Sequence, residues 1–176
     1  MSLIETDITQ LRLNPMTLIG KDWWLVTAGQ AGNFNTMTAS WGHLGAIWSR
    51  PGQGSMPTAV IYVRPQRYTK EFLDREPLFS LSVLGEEQRA ALNYLGSHSG
   101  RDGDKVKAAG LTAVAAEGTV YFAEAKLVLI CRKLYHAPLV EAGFIDRDII
   151  ARNYPERDYH EQYVGEIVRV LRRAEE

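Results

Sequence analysis

The chain of 176 residues has one cysteine, Cys131, so it cannot form an internal disulfide and is not a disulfide-stapled secreted scaffold. A reducing compartment, the cytoplasm, is the simplest setting. No segment approaches the roughly 18 consecutive apolar residues of a membrane span. The N-terminal stretch MSLIETDITQLRLNP carries acids early and lacks the apolar run of a signal peptide. Neither sign of charge prevails. The net charge is -1, with both signs spread along the chain, which gives no electrostatic case for a nucleic-acid or membrane partner. There is no internal repeat, low-complexity tract or long linker. The Gly-x-Gly-x-x-Gly fingerprint of dinucleotide binding is missing, and so is the Gly-Lys-Ser/Thr ending of a nucleoside triphosphate loop. The four histidines, at 43, 98, 136 and 160, show no clustered ligand spacing, so no metal site is expected. No catalytic triad or carboxylate pair stands out.

What is present is ordinary globular material, 45% hydrophobic, enough for one domain over residues 1–176. Short turn signals are scattered evenly, as in a compact β-rich chain. Residues 23–29, WWLVTAG, read as a strand, and QAGNFN as the turn after it. Residues 36–48, TMTASWGHLGAIW, read as a second strand, where Gly42 and Gly45 mark bulges or close backbone approach. A β-branched run from 58 to 65 stops at proline. A short helix follows at TKEFLDRE, with Thr69 as its N-cap and Phe72 and Leu73 on its apolar side. Residues 78–85 read as a strand and 86–96 as a helix ending at Gly96. A polar loop, SHSGRDGD, leads into a second short helix, KVKAAG. Residues 119–135 read as one long strand or a bent pair, with Tyr121, Ala123, Ala125, Leu127, Leu129 and Cys131 facing inward. Cys131 reads as a small core residue. Residues 160–173 form the last strand, and Gly165 points to strong curvature. Many antiparallel strands with a few short helices make a mainly β chain, a small barrel.

Three segments carry chemistry of their own. NTMTASWG is both hydroxyl-rich and aromatic. On a strand, Asn35, Met37, Ala39 and Trp41 face one way and Thr36, Thr38, Ser40 and Gly42 the other. By itself it reads as a strand with Thr in its usual β-role and Trp in the core, and the same residues would also suit a wall for a ligand with flat and polar parts. VRPQRYT places Arg64, Arg67, Tyr68 and Thr69 at the start of a helix, where anions bind well, although a solvated basic turn has the same composition. SGRDGDK supplies Ser99, Arg101 and Lys105 on a glycine-containing loop suited to a phosphate or to plain solvent.

Taken in order, NTMTASWG, YVRPQRYT, SGRDGDK and DYHEQYVGEI resemble the flavin reductase-like, FMN-binding split-barrel family of the flavoredoxin type. The resemblance spans roughly residues 15–170. It implies FMN held noncovalently in a split β-barrel, at the interface of a homodimer. It also implies electron transfer from NADH, NADPH or a protein partner to an unknown redox acceptor. The residues it brings to the flavin are Asn35, Thr38, Ser40, Trp41, Arg64, Thr69, Ser99, Arg101, Lys105 and His160. Lys105 and Arg101 would face the phosphate, and His160 would polarise a ring oxygen. Thr69 and Lys105 lie at edges of the expected helices, with little part in the core. No side chain has to act as nucleophile or base, because the chemistry belongs to the cofactor. The rival readings are a flavin carrier or sensor without turnover, and a split barrel that has lost flavin and serves as a dimeric interaction domain.

Overall fold

A computed structural model describes residues 3–174. In chain order the elements begin with β1 (Leu3–Glu5) and α1 (Pro15–Thr17). Asn14 caps α1 by accepting from the N–H groups of Met16 and Thr17, and Pro15 occupies the first turn, where no donor is needed. A wider turn of π type (Leu18–Asp22) leads to β2 (Trp24–Gln30), β3 (Asn33–Ala39), β4 (Gly42–Ser49) and β5 (Ser55–Val63). Then come α2 (Tyr68–Arg75), β6 (Leu78–Leu84), α3 (Arg89–Ser97), α4 (Lys105–Ala108), β7 (Ala113–Ala116), β8 (Thr119–Phe122), β9 (Ala125–Pro138), α5 (Asp148–Asn153) and β10 (Glu161–Arg173).

Eight strands form one antiparallel sheet in the order β3-β2-β6-β9-β10-β5-β4, with β1 also paired to β10. The outer strands of this order, β3 and β4, follow one another in sequence with only residues 40–41 between them. The sheet therefore curls almost full circle, yet no ladder joins β3 to β4 among the described residues. The fold is a split barrel. Register shifts at Val164/Gly165 and Ile167/Arg169 bend β10 against β9, as bulges do. Inside lie Trp24, Val26, Ile61, Phe79, Leu81, Leu129, Cys131 and Tyr163. A second apolar layer, with Leu25, Leu92, Leu95, Phe122, Val128 and Ile130, lies under α3 and the β7–β8 hairpin. Strand β9 is thus buried on both faces along its central part, which explains its continuous apolar run.

Several sequence expectations change here. The strand expected over 36–48 is two strands, because the chain leaves one edge of the sheet at Ser40 and enters the other at Gly42. Gly42 does mark close approach: a Cβ there would lie 2.3 Å from the Trp24 ring. Gly45 has open space beside it. Residues 119–135 are a bent pair in two different sheets, broken after Phe122. The turn resets the alternation, so Val120 and Phe122 are buried and Ala123 is exposed. The helix expected over 86–96 starts as a 3-10 turn (Glu86–Gln88), and Gly96 lies inside α3. Thr69 is not an N-cap. Arg67 holds that position, without a side-chain cap bond, and Thr69 is buried within α2. The short strands β1 and β7 and helix α5 were not expected from the sequence.

Gly165 is where the curvature can be tested. A Cβ there would meet the Phe79 ring at 2.6 Å and Cys131 Cβ at 2.9 Å. Gly165→Ala should cost about 1–3 kcal/mol through overpacking. Urea denaturation should show a lower midpoint with an unchanged slope. An unchanged midpoint would mean that β10 can move away from Phe79 freely.

Candidate functional site

A polar cleft of about 410 Å³ opens between β3, the start of α2, the loop after α3 and the segment before β10. Its walls include Asn35, Met37, Arg64, Arg67, Thr69, Ser99, Lys105 and Asp158. Three cations and one carboxylate leave an excess of two positive charges (3 - 1 = 2). A smaller hollow of about 210 Å³ shares Met37, Arg64 and Arg67 with the cleft and adds Thr38, Ser40, Trp41, Tyr62 and His160. The two make one groove, with Arg64 and Arg67 common to both parts, Lys105 at the cationic end and Trp41, Tyr62 and His160 at the other.

The cationic end is built on the last turn of α3. Lys105 Nζ donates to the carbonyls of Leu95 (3.2 Å) and His98 (2.9 Å), and Arg67 donates to that of Gly96 (2.7 Å). Carbonyls at a helix C-terminus lack intrahelical partners, and side-chain cations satisfy them. Burial, with the Arg67 charge second, lowers Lys105 to about 8. An ammonium has three donors, so Lys105 keeps one for a ligand. Thr69 accepts from Asn35 Nδ2 at 2.8 Å and is almost fully buried. Arg64 pairs with Asp158 and donates to Asn153 O at 2.8 Å. The hydrogen bond from Gln66 and the charge of Arg64 hold the Asp158 carboxyl below the usual range. Asp158 Oδ1 is nevertheless a buried acceptor with no hydrogen-bond partner among the described residues.

At the other end, Trp41 sits on the break between β3 and β4, 43% exposed, with its ring 4.9 Å from that of His160. His160 is buried, and its Nδ1 lies 2.8 Å from the Tyr154 hydroxyl. Burial first, then the Arg64 charge, lowers His160 to about 4, so it is neutral at pH 7.

Of the ten residues expected at the site, nine line this groove. Arg101 does not: it pairs with Glu71, lies over the Tyr68 ring at 4.5 Å, and closes the outside of the wall. Lys105 departs from its expected place at a surface edge, because it is buried as the clasp of α3. Thr38 lines the smaller hollow but donates to Leu92 O at 2.5 Å. Both faces of β3 contribute near the break: Asn35 and Met37 line the cleft, and Thr38 and Ser40 line the hollow. Arg67, Met37, Gln66 and Asp158 line the groove without having been among the ten residues expected there. Arg67 lay in the same basic turn as Arg64, and Met37 shared the strand face of Asn35. Nothing in the sequence marked Asp158 as a partner of Arg64.

One trio with ligand-type atoms lies elsewhere: those of Asp74, His136 and Glu161 are within 4.8 Å of one another. It includes neither His160 nor Asp158. Lys70 Nζ bridges its two carboxylates, at 2.6 Å from Asp74 and 3.1 Å from Glu161.

His160 also makes stability depend on pH. Its imidazole stays neutral in the fold to about pH 4. The unfolded side chain takes a proton near about 6.5. The unfolded state then binds more protons, so stability falls as pH drops from 6.5 towards 4. His160→Gln should flatten the pH dependence of the melting temperature across that window. An unchanged slope would assign the acid sensitivity to other groups.

The family model "Flavin reductase like domain" matches residues 16–176. Solved structures with the same fold include an FMN-binding domain of a flavin reductases-like enzyme from Shewanella baltica OS155. It is 17% identical, with a TM-score of 0.65, over 97% of this chain and 76% of that one. Flavoredoxin from Methanosarcina acetivorans is 21% identical, with a TM-score of 0.62, over 97% and 75%. An NADH:FAD oxidoreductase from Streptomyces globisporus, in complex with NAD and FAD fragments, is 21% identical, with a TM-score of 0.60, over 86% and 75%. At these identities the likeness is one of fold. No curated protein matches the chain.

Proposed function

From the premise that this chain belongs to the flavin reductase-like domain family, we propose that it binds FMN in the groove and transfers electrons through it. The observation that carries this reading is a groove with an excess of two positive charges that has Lys105 at one end and Trp41, Tyr62 and His160 at the other. FMN has the same polarity, a phosphate of about -1.5 to -2 at one end and a flat ring at the other. The orphaned Asp158 Oδ1 adds to the fit, since the ribityl chain between them is rich in hydroxyl donors. Bound FMN supplies the electron-accepting ring. Arg67, Lys105 and Ser99 would hold the phosphate, and Thr69 would add its hydroxyl. Asp158 and Asn35 would meet the ribityl chain. Trp41 would cover the ring end, and neutral His160 would form a hydrogen bond there without adding charge.

The donor is NADH or NADPH, a reading supported by the NADH:FAD oxidoreductase among the structural neighbours. We place the protein in the cytoplasm, with Cys131 free and buried. No helix of the described residues is long and apolar enough to cross a membrane. A homodimer is proposed over the outer strand β4. There Ile47, Trp48 and the neighbouring Tyr135 are exposed, and Trp48 is held at a φ of 57°, a strained conformation for a bulky side chain.

Flavin fluorescence titrations test the cofactor reading. FMN should bind more tightly than riboflavin. Arg67→Ala should weaken FMN about ten- to a hundredfold, the worth of a charge-assisted hydrogen bond of about 1.5–3 kcal/mol, and leave riboflavin nearly unchanged. Trp41→Ala should weaken both. The phosphate is already dianionic above pH 7, so FMN affinity should fall as pH rises through about 8, where the free protein loses the Lys105 charge. Equal affinity for the two flavins would remove the phosphate site. Tight binding without bleaching of the flavin by NADH or NADPH would favour a carrier or sensor.

A further inference from the structure

Between β9 and β10 the chain leaves the barrel for residues 139–160 and returns to where it left, since the Leu139 N–H donates to His160 O at 2.9 Å. This excursion has little core of its own. Of residues 140–159, Tyr154 alone is buried, and Ile145 is fully exposed. The Glu141 carboxylate gathers it from within, accepting from Tyr159 at 3.0 Å and pairing with Arg157 at 3.4 Å. A segment with so little buried surface has low stability of its own and depends on what ties it down. Among the described residues, three hydrogen bonds tie residues 140–159 to the end of β5 and the turn after it, and Arg64 makes two of them. Its guanidinium pairs with the Asp158 carboxylate, donates to Asn153 O at 2.8 Å and lies over the Tyr154 ring at 5.2 Å. The third runs from Gln66 Nε2 to the same Asp158 oxygen at 2.8 Å. Tyr154 in turn meets His160 Nδ1.

We propose that Arg64 is the positioning residue of the groove: it latches the excursion to the end of β5 and so sets Asp158 and His160 where a ligand meets them. The planar fork explains why arginine stands here. One guanidinium holds the Asp158 carboxylate and the Asn153 carbonyl together, a two-point grip that the point charge of a lysine reproduces poorly. Cutting the grip leaves Asp158 as a largely buried carboxylate without its cation, and such a charge moves toward water. Arg64 thus differs from the other two cations of the cleft. Arg67 and Lys105 spend their bonds on neutral carbonyls at the end of α3 and keep their charge for a ligand, whereas the charge of Arg64 is already matched by Asp158. The latch is a property of the free protein. What it does for flavin rests on the reading given above.

Amide hydrogen exchange on the purified protein tests the latch. Arg64→Met should speed exchange at the hydrogen-bonded amides of Ile150, Tyr154 and Arg157 by about tenfold or more, the worth of a charge-assisted hydrogen bond, with β6 and β9 unchanged. Arg67→Met should leave those amides at the wild-type rate. Arg64→Lys keeps the charge, guards against a variant that does not fold, and should still speed exchange there because the two-point grip is lost. The His160 imidazole gives a second reading. The charges that face it are Arg64 first, then Asp158 and Arg67, so in Arg64→Met its resonance should titrate above about 4, toward the usual 6.5. Arg64→Met should also weaken FMN and riboflavin by the same factor, since it displaces Asp158 and leaves the phosphate contacts in place. Unchanged exchange at the three amides in both Arg64 variants would overturn the proposal, as would acceleration spread evenly over the barrel. Loss of FMN affinity alone, with riboflavin held as before, would overturn it by making Arg64 a phosphate contact. Failure of the wild-type protein to bind either flavin would count against the flavin reading, and the exchange rates would still decide the latch.

Discussion

The last turn of α3 ends in carbonyls that the helix cannot satisfy, and two cations from elsewhere satisfy them. Lys105 takes Leu95 and His98, and Arg67 takes Gly96. These bonds bring the start of α2 and the start of α4 against one helix end, and the polar cleft is the space they enclose. They also concentrate positive charge in a partly buried place, at an evident cost, since the Lys105 ammonium is destabilised enough to titrate near 8. A dianion would lower that cost, because it offers the neighbouring charges a counterion. One arrangement thus closes the helix, shapes the cleft and leaves it with an excess of positive charge.

The second constraint is the break between β3 and β4. A fully closed barrel would pair these strands and leave no groove. Here the chain crosses the gap in residues 40–41, and that crossing presents Trp41 to the groove. The hydroxyls that crowd this stretch have separate duties. Thr36 meets Thr27 at 2.8 Å in the interior, Thr38 holds Leu92 O, and Asn35 holds Thr69. They fasten β3 to β2, α3 and α2. The stretch is hydroxyl-rich chiefly because a strand beside an open seam needs anchoring.

Most strands were legible from the sequence because their alternation and turn residues are local signals. The seam was not, since TMTASWGHLGAIW has no proline or turn pair at residues 40–41, and the break follows from sheet closure. The candidate site was legible mainly through four motifs read in order, which brought nine of the ten named residues to one groove. What composition could not show was which cations are free. Arg101 and Lys105 look alike on a polar loop, yet one is spent on Glu71 and Tyr68 and the other is buried under a helix end. Such assignments depend on partners far away in sequence, as Asp158 does for Arg64.

Amide hydrogen exchange with and without FMN tests the location of the flavin phosphate most directly. Slowed exchange is expected at residues 66–69 and 97–105, the two segments that meet at the end of α3, and riboflavin should not reproduce it there. Protection confined to β4 and the segment of residues 139–154, with no change around Lys105, would contradict a phosphate held in the polar cleft.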